Sequence, residues 1–126
     1  MAEARLLIVE ADDAIADLFV AALDEEGYRV ERARSPQDAV ELFAARGRAA
    51  FDLILSSPFT TPRQAPYLWL DRLRASTDAD IVICSSYPAA RFADHRARGY
   101  VAFLQEPFDL QALINLVASL VNGTGE

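Results

Sequence analysis

The chain opens on a short apolar run, Leu6-Leu7-Ile8-Val9, with charge on either side. A run of that length without alternation predicts a strand buried on both faces. Beyond it, Ile15, Leu18, Phe19, Ala22 and Leu23 recur at helical spacing. They predict an amphipathic helix, capped by Asp12 or Asp13 and stopped by Gly27 just past its last turn. Tyr28 to Ala33 alternates, Tyr28 and Val30 against Arg29 and Glu31, and predicts a second strand. Ser35-Pro36-Gln37-Asp38 has the hydroxyl cap, early proline and first-turn acid of a helix start, and Ala39, Val40, Leu42 and Phe43 form the inner stripe.

The second half continues the alternation. Asp52-Leu53-Ile54-Leu55 predicts a third strand, and Ser56 to Pro66 a long, stiff loop with prolines at 58, 62 and 66. A helix is expected from Ala65 to Ala75 with Tyr67, Leu70 and Leu73 inward, which turns Trp69 outward or tucks it under the loop. Ile81-Val82-Ile83-Cys84 predicts a fourth strand, with Cys84 as a small buried hydrophobe. A weak polar helix over Ala89 to Arg98 would leave His95 in solvent. Tyr100 to Leu104 predicts a fifth strand, and Leu110 to Val121 a last helix. Residues 1–121 form one domain on this reading, and 122–126 a flexible tail or the start of a linker.

Strand and helix thus alternate five times, and the clearest strands are continuous runs. The fold class is α/β, a doubly wound (βα)5 unit with a five-stranded parallel sheet. Right-handed crossovers leave the flavodoxin-like order 2-1-3-4-5 as the expected topology. Function in such folds lies beyond the carboxyl ends of the strands. That directs attention to Glu10–Asp13, Ser56–Pro66, Ser85–Pro88 and Gln105–Phe108.

Composition narrows the chemistry. With 126 residues there is room for one core. All twelve basic residues are arginine, so a P-loop or Schiff-base lysine is excluded in this chain. A net charge of −7 argues against binding nucleic acid or an anionic membrane through this domain. One cysteine and one histidine make neither a disulfide framework nor a Cys/His zinc site. No apolar run reaches the roughly 18–20 residues of a membrane span. The first residues lack a secretory pattern, and a cytoplasmic location is expected.

Four segments carry a resemblance. Leu6-Leu7-Ile8-Val9-Glu10, Phe51-Asp52-Leu53-Ile54-Leu55, Ile81-Val82-Ile83-Cys84-Ser85 and Phe103-Leu104-Gln105-Glu106-Pro107-Phe108-Asp109-Leu110 resemble, in order, the receiver domains of bacterial two-component response regulators. The resemblance covers about residues 4 to 121. It implies an acid pair after the first strand that holds Mg²⁺, and an aspartate after the third that takes a phosphoryl group. It also implies a hydroxyl after the fourth strand and a lysine before the proline after the fifth. A carboxylate is needed to form an acyl phosphate, and cations to neutralise the transferring group.

The register decides what stands at those positions here. Counted from Glu10, the fifth, eighth and ninth residues onward are Ile15, Leu18 and Phe19, which suits the family's apolar pattern. Counted from Asp12, they are Asp17, Val20 and Ala21, which would bury a charge. The acid pair is therefore matched by Glu10 and Ala11, the acceptor by Ser57, the hydroxyl by Ser85 and the lysine by Glu106. Only Ser85 keeps the family's type. Glu106 would repel a phosphoryl group by roughly 1–4 kcal/mol at about 4 Å.

The expectation is a degenerate receiver, without enzymatic activity, metal or cofactor, that signals by protein–protein contact independently of phosphorylation. Alternatives are a phosphorylatable regulator with unusual acceptor chemistry, a phosphoserine at Ser57, and a small-ligand module like FMN-carrying flavodoxins. The acidic loop is read as a helix cap, with a remnant cation site of Glu10, Asp12 and Glu106 as the other option. Arg63, in the long loop, is a candidate to fold in and neutralise Glu10 and Glu106. The resemblance also implies a cis bond at Glu106-Pro107 and a reporter aromatic at Phe103, although without a phosphate to draw Ser85 inward Phe103 reads first as core. Trp69 and Leu116 are further contact candidates. The last helix is broader in its apolar face than one buried stripe needs, which suits a homodimer or a plain core.

Overall fold

Strand β1 (Arg5–Val9) is enclosed along Leu6 to Val9, and it is an interior strand because both β2 (Arg29–Ala33) and β3 (Leu53–Ser56) pair with it. β4 (Asp80–Ser85) pairs with β3, and β5 (Ala102–Gln105) with β4. All pairings are parallel, and the order is β2-β1-β3-β4-β5. These relations come from a computed structural model that describes residues 3–122. The tail proposed at 122–126 lies, apart from Asn122, outside the described residues.

Side chains alternate across the sheet, as strand geometry requires. Leu7, Val9, Ile54, Ile81 and Ile83 face α2 (Pro36–Arg46) and α3 (Leu68–Ser76). Leu6, Ile8, Leu55, Val82 and Cys84 face α1 (Asp13–Glu25) and α4 (Leu110–Val121). Burial on both faces is why these strands read as continuous apolar runs. Ser35 Oγ accepts from the Asp38 N–H at 3.1 Å to start α2, Pro36 follows it, and Gly47 (φ 103°) ends the helix. Asp109 likewise caps α4 by accepting from Gln111 N–H at 3.1 Å.

Three elements depart from the sequence reading. In α1 the buried line is Ala16, Phe19 and Leu23, while Leu18 is 52% exposed. The Asp12 cap fixes where the helix starts, and one residue from Phe19 is about 100° of rotation, enough to carry Leu18 off the sheet. The third helix begins at Leu68, not Ala65. Ala65 precedes Pro66, whose ring disfavours helical backbone in the residue before it.

The third departure is the segment before β5. The helix expected over Ala89 to Arg98 is a single 3₁₀ turn, Ala89–Phe92, followed by turns to Gly99 (φ 96°). Its hydrogen bonds are short-range, such as His95 N–H to Phe92 O at 3.0 Å and Gly99 N–H to Arg96 O at 3.1 Å. Only Phe92 and Tyr100 anchor it in the core, too few apolar positions to hold a helical face. Aromatic packing replaces the helix: Tyr67 meets Phe92 edge-on at 5.4 Å and stacks on Tyr100 at 5.5 Å, and Phe92 stacks on Phe103 at 5.4 Å. Around this column, Tyr67 Oη donates to Asp94 at 2.7 Å, Tyr100 Oη donates to Asp71 at 2.6 Å, and Arg98 pairs with both carboxylates. Arg74 closes the base, donating to the carbonyls of Thr77, Ala79 and Gly99.

Candidate functional site

The loop after β1 directs its acids at its own backbone. The Glu10 N–H donates to Ala33 O at 3.0 Å, and the Glu10 carboxylate turns back to accept from the Asp12 N–H at 2.9 Å. Asp12 accepts from the Ile15 N–H at 3.0 Å and so caps α1, the role a carboxylate at a helix start serves best. Ala11 between them is exposed. Among the described residues no three Asp, Glu, His or Cys side chains are grouped to hold a metal ion.

The cation at this loop comes from β2, not from the β3–α3 loop. Arg63 is exposed and makes no ion pair among the described residues, so the expected neutralisation of Glu10 and Glu106 by Arg63 is corrected. Arg32 instead donates Nε–H to the Glu10 carbonyl at 2.9 Å and pairs through Nη1 with Asp13 at 2.9 Å. Its side chain is only 18% exposed, and its Nη2 is buried with no partner among protein atoms. Arg34 also reaches Asp13 at 2.9 Å. These two guanidinium groups, Arg32 first, hold the Asp13 carboxyl below the usual carboxylate range.

Ser57 follows β3 directly and is half-buried. Its N–H donates to Val9 O at 3.2 Å, while its Oγ is 3.5 Å from the same oxygen, the outer limit of a hydrogen bond. The loop then turns through buried Pro58 and through Phe59, whose φ of 62° is left-handed for a bulky residue. Phe59 packs on the α2–α3 side of the core, and Thr60 behind it is buried.

Ser85 ends β4 and is buried. Its Oγ accepts from the Tyr87 N–H at 2.9 Å, and its carbonyl accepts from the Glu106 N–H at 2.7 Å. Tyr87 Oη donates to Thr60 O at 2.8 Å, and Gln105 Nε2 donates to Tyr87 O at 2.7 Å. The loops after β3, β4 and β5 are therefore stitched together by uncharged groups. The Glu106-Pro107 bond is cis. Glu106 is half-buried, and its carboxyl is pushed above the usual range by burial first and by the Glu10 charge second.

Of the remaining candidates, Phe103 is half-buried and stacks on Phe92. Trp69 is half-buried under the Arg72 guanidinium, 4.6 Å from its ring. Leu116 is half-buried against the α1–α4 side of the core. His95 is not in solvent: it is half-buried, its Nδ1 lies 2.8 Å from Phe92 O, and its ring is 6.3 Å from that of Phe103. Sequence reasoning missed Arg32 and Tyr87. Only the turn carried a signal, since a serine at a strand end commonly accepts from the backbone N–H two residues on, here that of Tyr87. Arg32 carried none, because the reach of a long side chain is not written in its spacing.

No family model matches the sequence. The chain is 29% identical over 119 residues to the sensor kinase CckA of Brucella abortus (strain 2308), a match covering 94% of this chain and 12% of the relative. It thus spans about an eighth of the length of that curated relative. Among solved structures, a two-component response regulator from Clostridium difficile superposes with a TM-score of 0.82 at 17% identity, covering 98% of this chain and 100% of that one. The receiver domain of the Francisella response regulator 1452 gives 0.80 at 21% identity, covering 97% and 99%. A CheY-like receiver domain protein from Methanospirillum hungatei JF-1 gives 0.80 at 19%, covering 97% and 96%. The fold is the response regulator receiver fold. On that receiver fold, Glu10, Ala11, Ser57, Ser85 and Glu106 lie at or just beyond the carboxyl ends of β1, β3, β4 and β5. The fourth helical position is the 3₁₀ turn.

Proposed function

We propose that this chain is a receiver-fold signalling module that works by protein–protein contact and takes up no phosphoryl group. The supporting observation is the electrostatics of the pocket. Glu106 is half-buried there beside the charge of Glu10, and burial first and that charge second raise its carboxyl. Ser57 stands where the family resemblance calls for an aspartate, and a hydroxyl cannot form an acyl phosphate. Arg32, the cation at the β1–α1 loop, is engaged with Glu10 O and Asp13, and the chain has no lysine to replace it. On this reading the domain is residues 1–121, followed by a tail or linker from 122. It is cytoplasmic, and its partners are proteins, with a second copy through α4 as one arrangement. Among the described residues no helix is long and apolar enough to cross a membrane.

The test is incubation of the full chain with acetyl phosphate and Mg²⁺, read by intact mass. An unchanged mass is expected. A gain of one phosphoryl would restore the phosphorylatable regulator.

A further inference from the structure

Charge is unevenly placed along the chain. Residues 57–105 carry six arginines and four acids, a balance of +2, whereas the remainder carries six arginines and fifteen acids, −9, which together give the −7 of the whole. The positive part has a surface. It comprises the loop before α3, the first turns of α3 and the 89–99 segment. Its two acids are already occupied: Asp94 by Tyr67 and Arg98, Asp71 by Tyr100 and Arg98. Arg63, Arg72 and Arg96 are exposed there and make no ion pair among the described residues.

Two guanidinium groups in this part of the chain lie over rings. Arg72 lies 4.6 Å from the centre of Trp69, and Arg91 lies 5.1 Å from that of Tyr87. Arg91 Nη2 also donates to Gln64 O at 3.3 Å, which sets it beside the Arg63 loop, and its Nε is buried without an acceptor. Stacking on an aromatic face orients a guanidinium and lowers the rotamer entropy lost when it binds. The planar fork of arginine matches a carboxylate better than an ammonium does.

We propose that an acidic protein segment binds across α3, its carboxylates received by Arg63, Arg91 and Arg96 on the side of the 89–99 segment and by Arg72 on the helix, with an apolar side chain resting on Trp69. This partner chemistry rests on the reading that the module signals by contact. A protein segment with a few carboxylates suits four spaced cations. A nucleic acid brings one charge per step along its whole length and would meet the −9 of the rest of the molecule.

The probe is a fluorescein-labelled, glutamate-rich peptide containing leucine, titrated into the full chain at low and high salt. An oligothymidylate of equal charge runs in parallel. The expected result is binding that weakens with salt and weakens about tenfold or more in a triple Arg63→Gln, Arg72→Gln, Arg96→Gln variant. These side chains are exposed, and a far-UV spectrum confirms that the variant folds. Peptide binding absent both before and after treatment with acetyl phosphate and Mg²⁺, equal binding by the variant, tighter binding of the oligothymidylate, or salt-sensitive self-association in its place would each overturn the proposal. Repeating the titration after acetyl phosphate and Mg²⁺ separates the two readings. Binding that appears only after treatment overturns the phosphorylation-independent function and leaves the acidic-partner surface standing.

Discussion

The Arg32 Nε–H and the Glu10 carbonyl oxygen are joined at 2.9 Å, so a side chain from the second strand closes the loop that follows the first. A second arm of the same guanidinium meets Asp13 at the start of α1. Arg32 thus places a permanent positive charge beside the acidic loop.

Replacing Arg32 with Met should remove both bonds and leave the acidic loop without its half-buried cation. The expected loss is about 1–3 kcal/mol of stability, measured by urea denaturation. Arg34→Met, which removes only an exposed partner of Asp13, should leave the midpoint nearly unchanged. Equal losses from the two variants would show that Arg32 acts only as one more surface charge.

Glu106 gives a pH dependence of definite sign. Its carboxyl is raised in the folded chain, so its ionised form costs stability at neutral pH. That cost falls as pH drops through the raised folded value and is gone below the ordinary carboxyl value of about 4.3. Glu106→Gln should therefore be the more stable protein at pH 7, by under about 1 kcal/mol for a partly solvated group. Denaturation curves from pH 7 to pH 4 should show the gap between variant and parent closing. A constant gap would mean that the charge of Glu106 is not the cause.

The aromatic column that stands in for a helix should behave as core. Phe92 is fully buried between Tyr67 and Phe103, and Phe92→Ala should cost about 3–5 kcal/mol. Tyr100→Phe keeps the ring and removes only the bond to Asp71, for an expected loss of about 1–3 kcal/mol. If Phe92→Ala were nearly neutral by thermal melting, the 89–99 segment would not be packed as described.

The pocket should also resist partial repair. On the function proposed above, Ser57→Asp alone supplies a carboxylate at the proposed acceptor position but leaves Glu106 at the position proposed for a cation, so no phosphoryl gain is expected by intact mass with acetyl phosphate and Mg²⁺. Uptake is expected only once Ala11→Asp and Glu106→Lys are added. Full uptake by the single variant would show that Glu106 is no obstacle.

Much of the scaffold was legible from the chain alone, because each signal was local. The apolar runs of β1, β3 and β4, the Ser35-Pro36 start of α2, and the bounds of α4 at Leu110 and Val121 all lie where pattern and capping chemistry put them. Leu18 was misread because the rotational phase of a helix is set by how the preceding loop hands it over, not by spacing. The 89–99 segment was misread because its order comes from Tyr67, on another element, not from its own periodicity. At the site, the strand ends placed Glu10, Ser57, Ser85 and Glu106, but the choice between Arg63 and Arg32 depended on side-chain reach.

The stitch from Thr60 through Tyr87 to Gln105 has a further consequence. Bonds that run in series across three loops make their fluctuations cooperative, so the amides there should exchange with solvent as one unit sharing a single opening free energy. Removing the Tyr87 hydroxyl would divide that unit, and deuterium uptake would then quicken around Thr60 while the turn after β4 kept its pace.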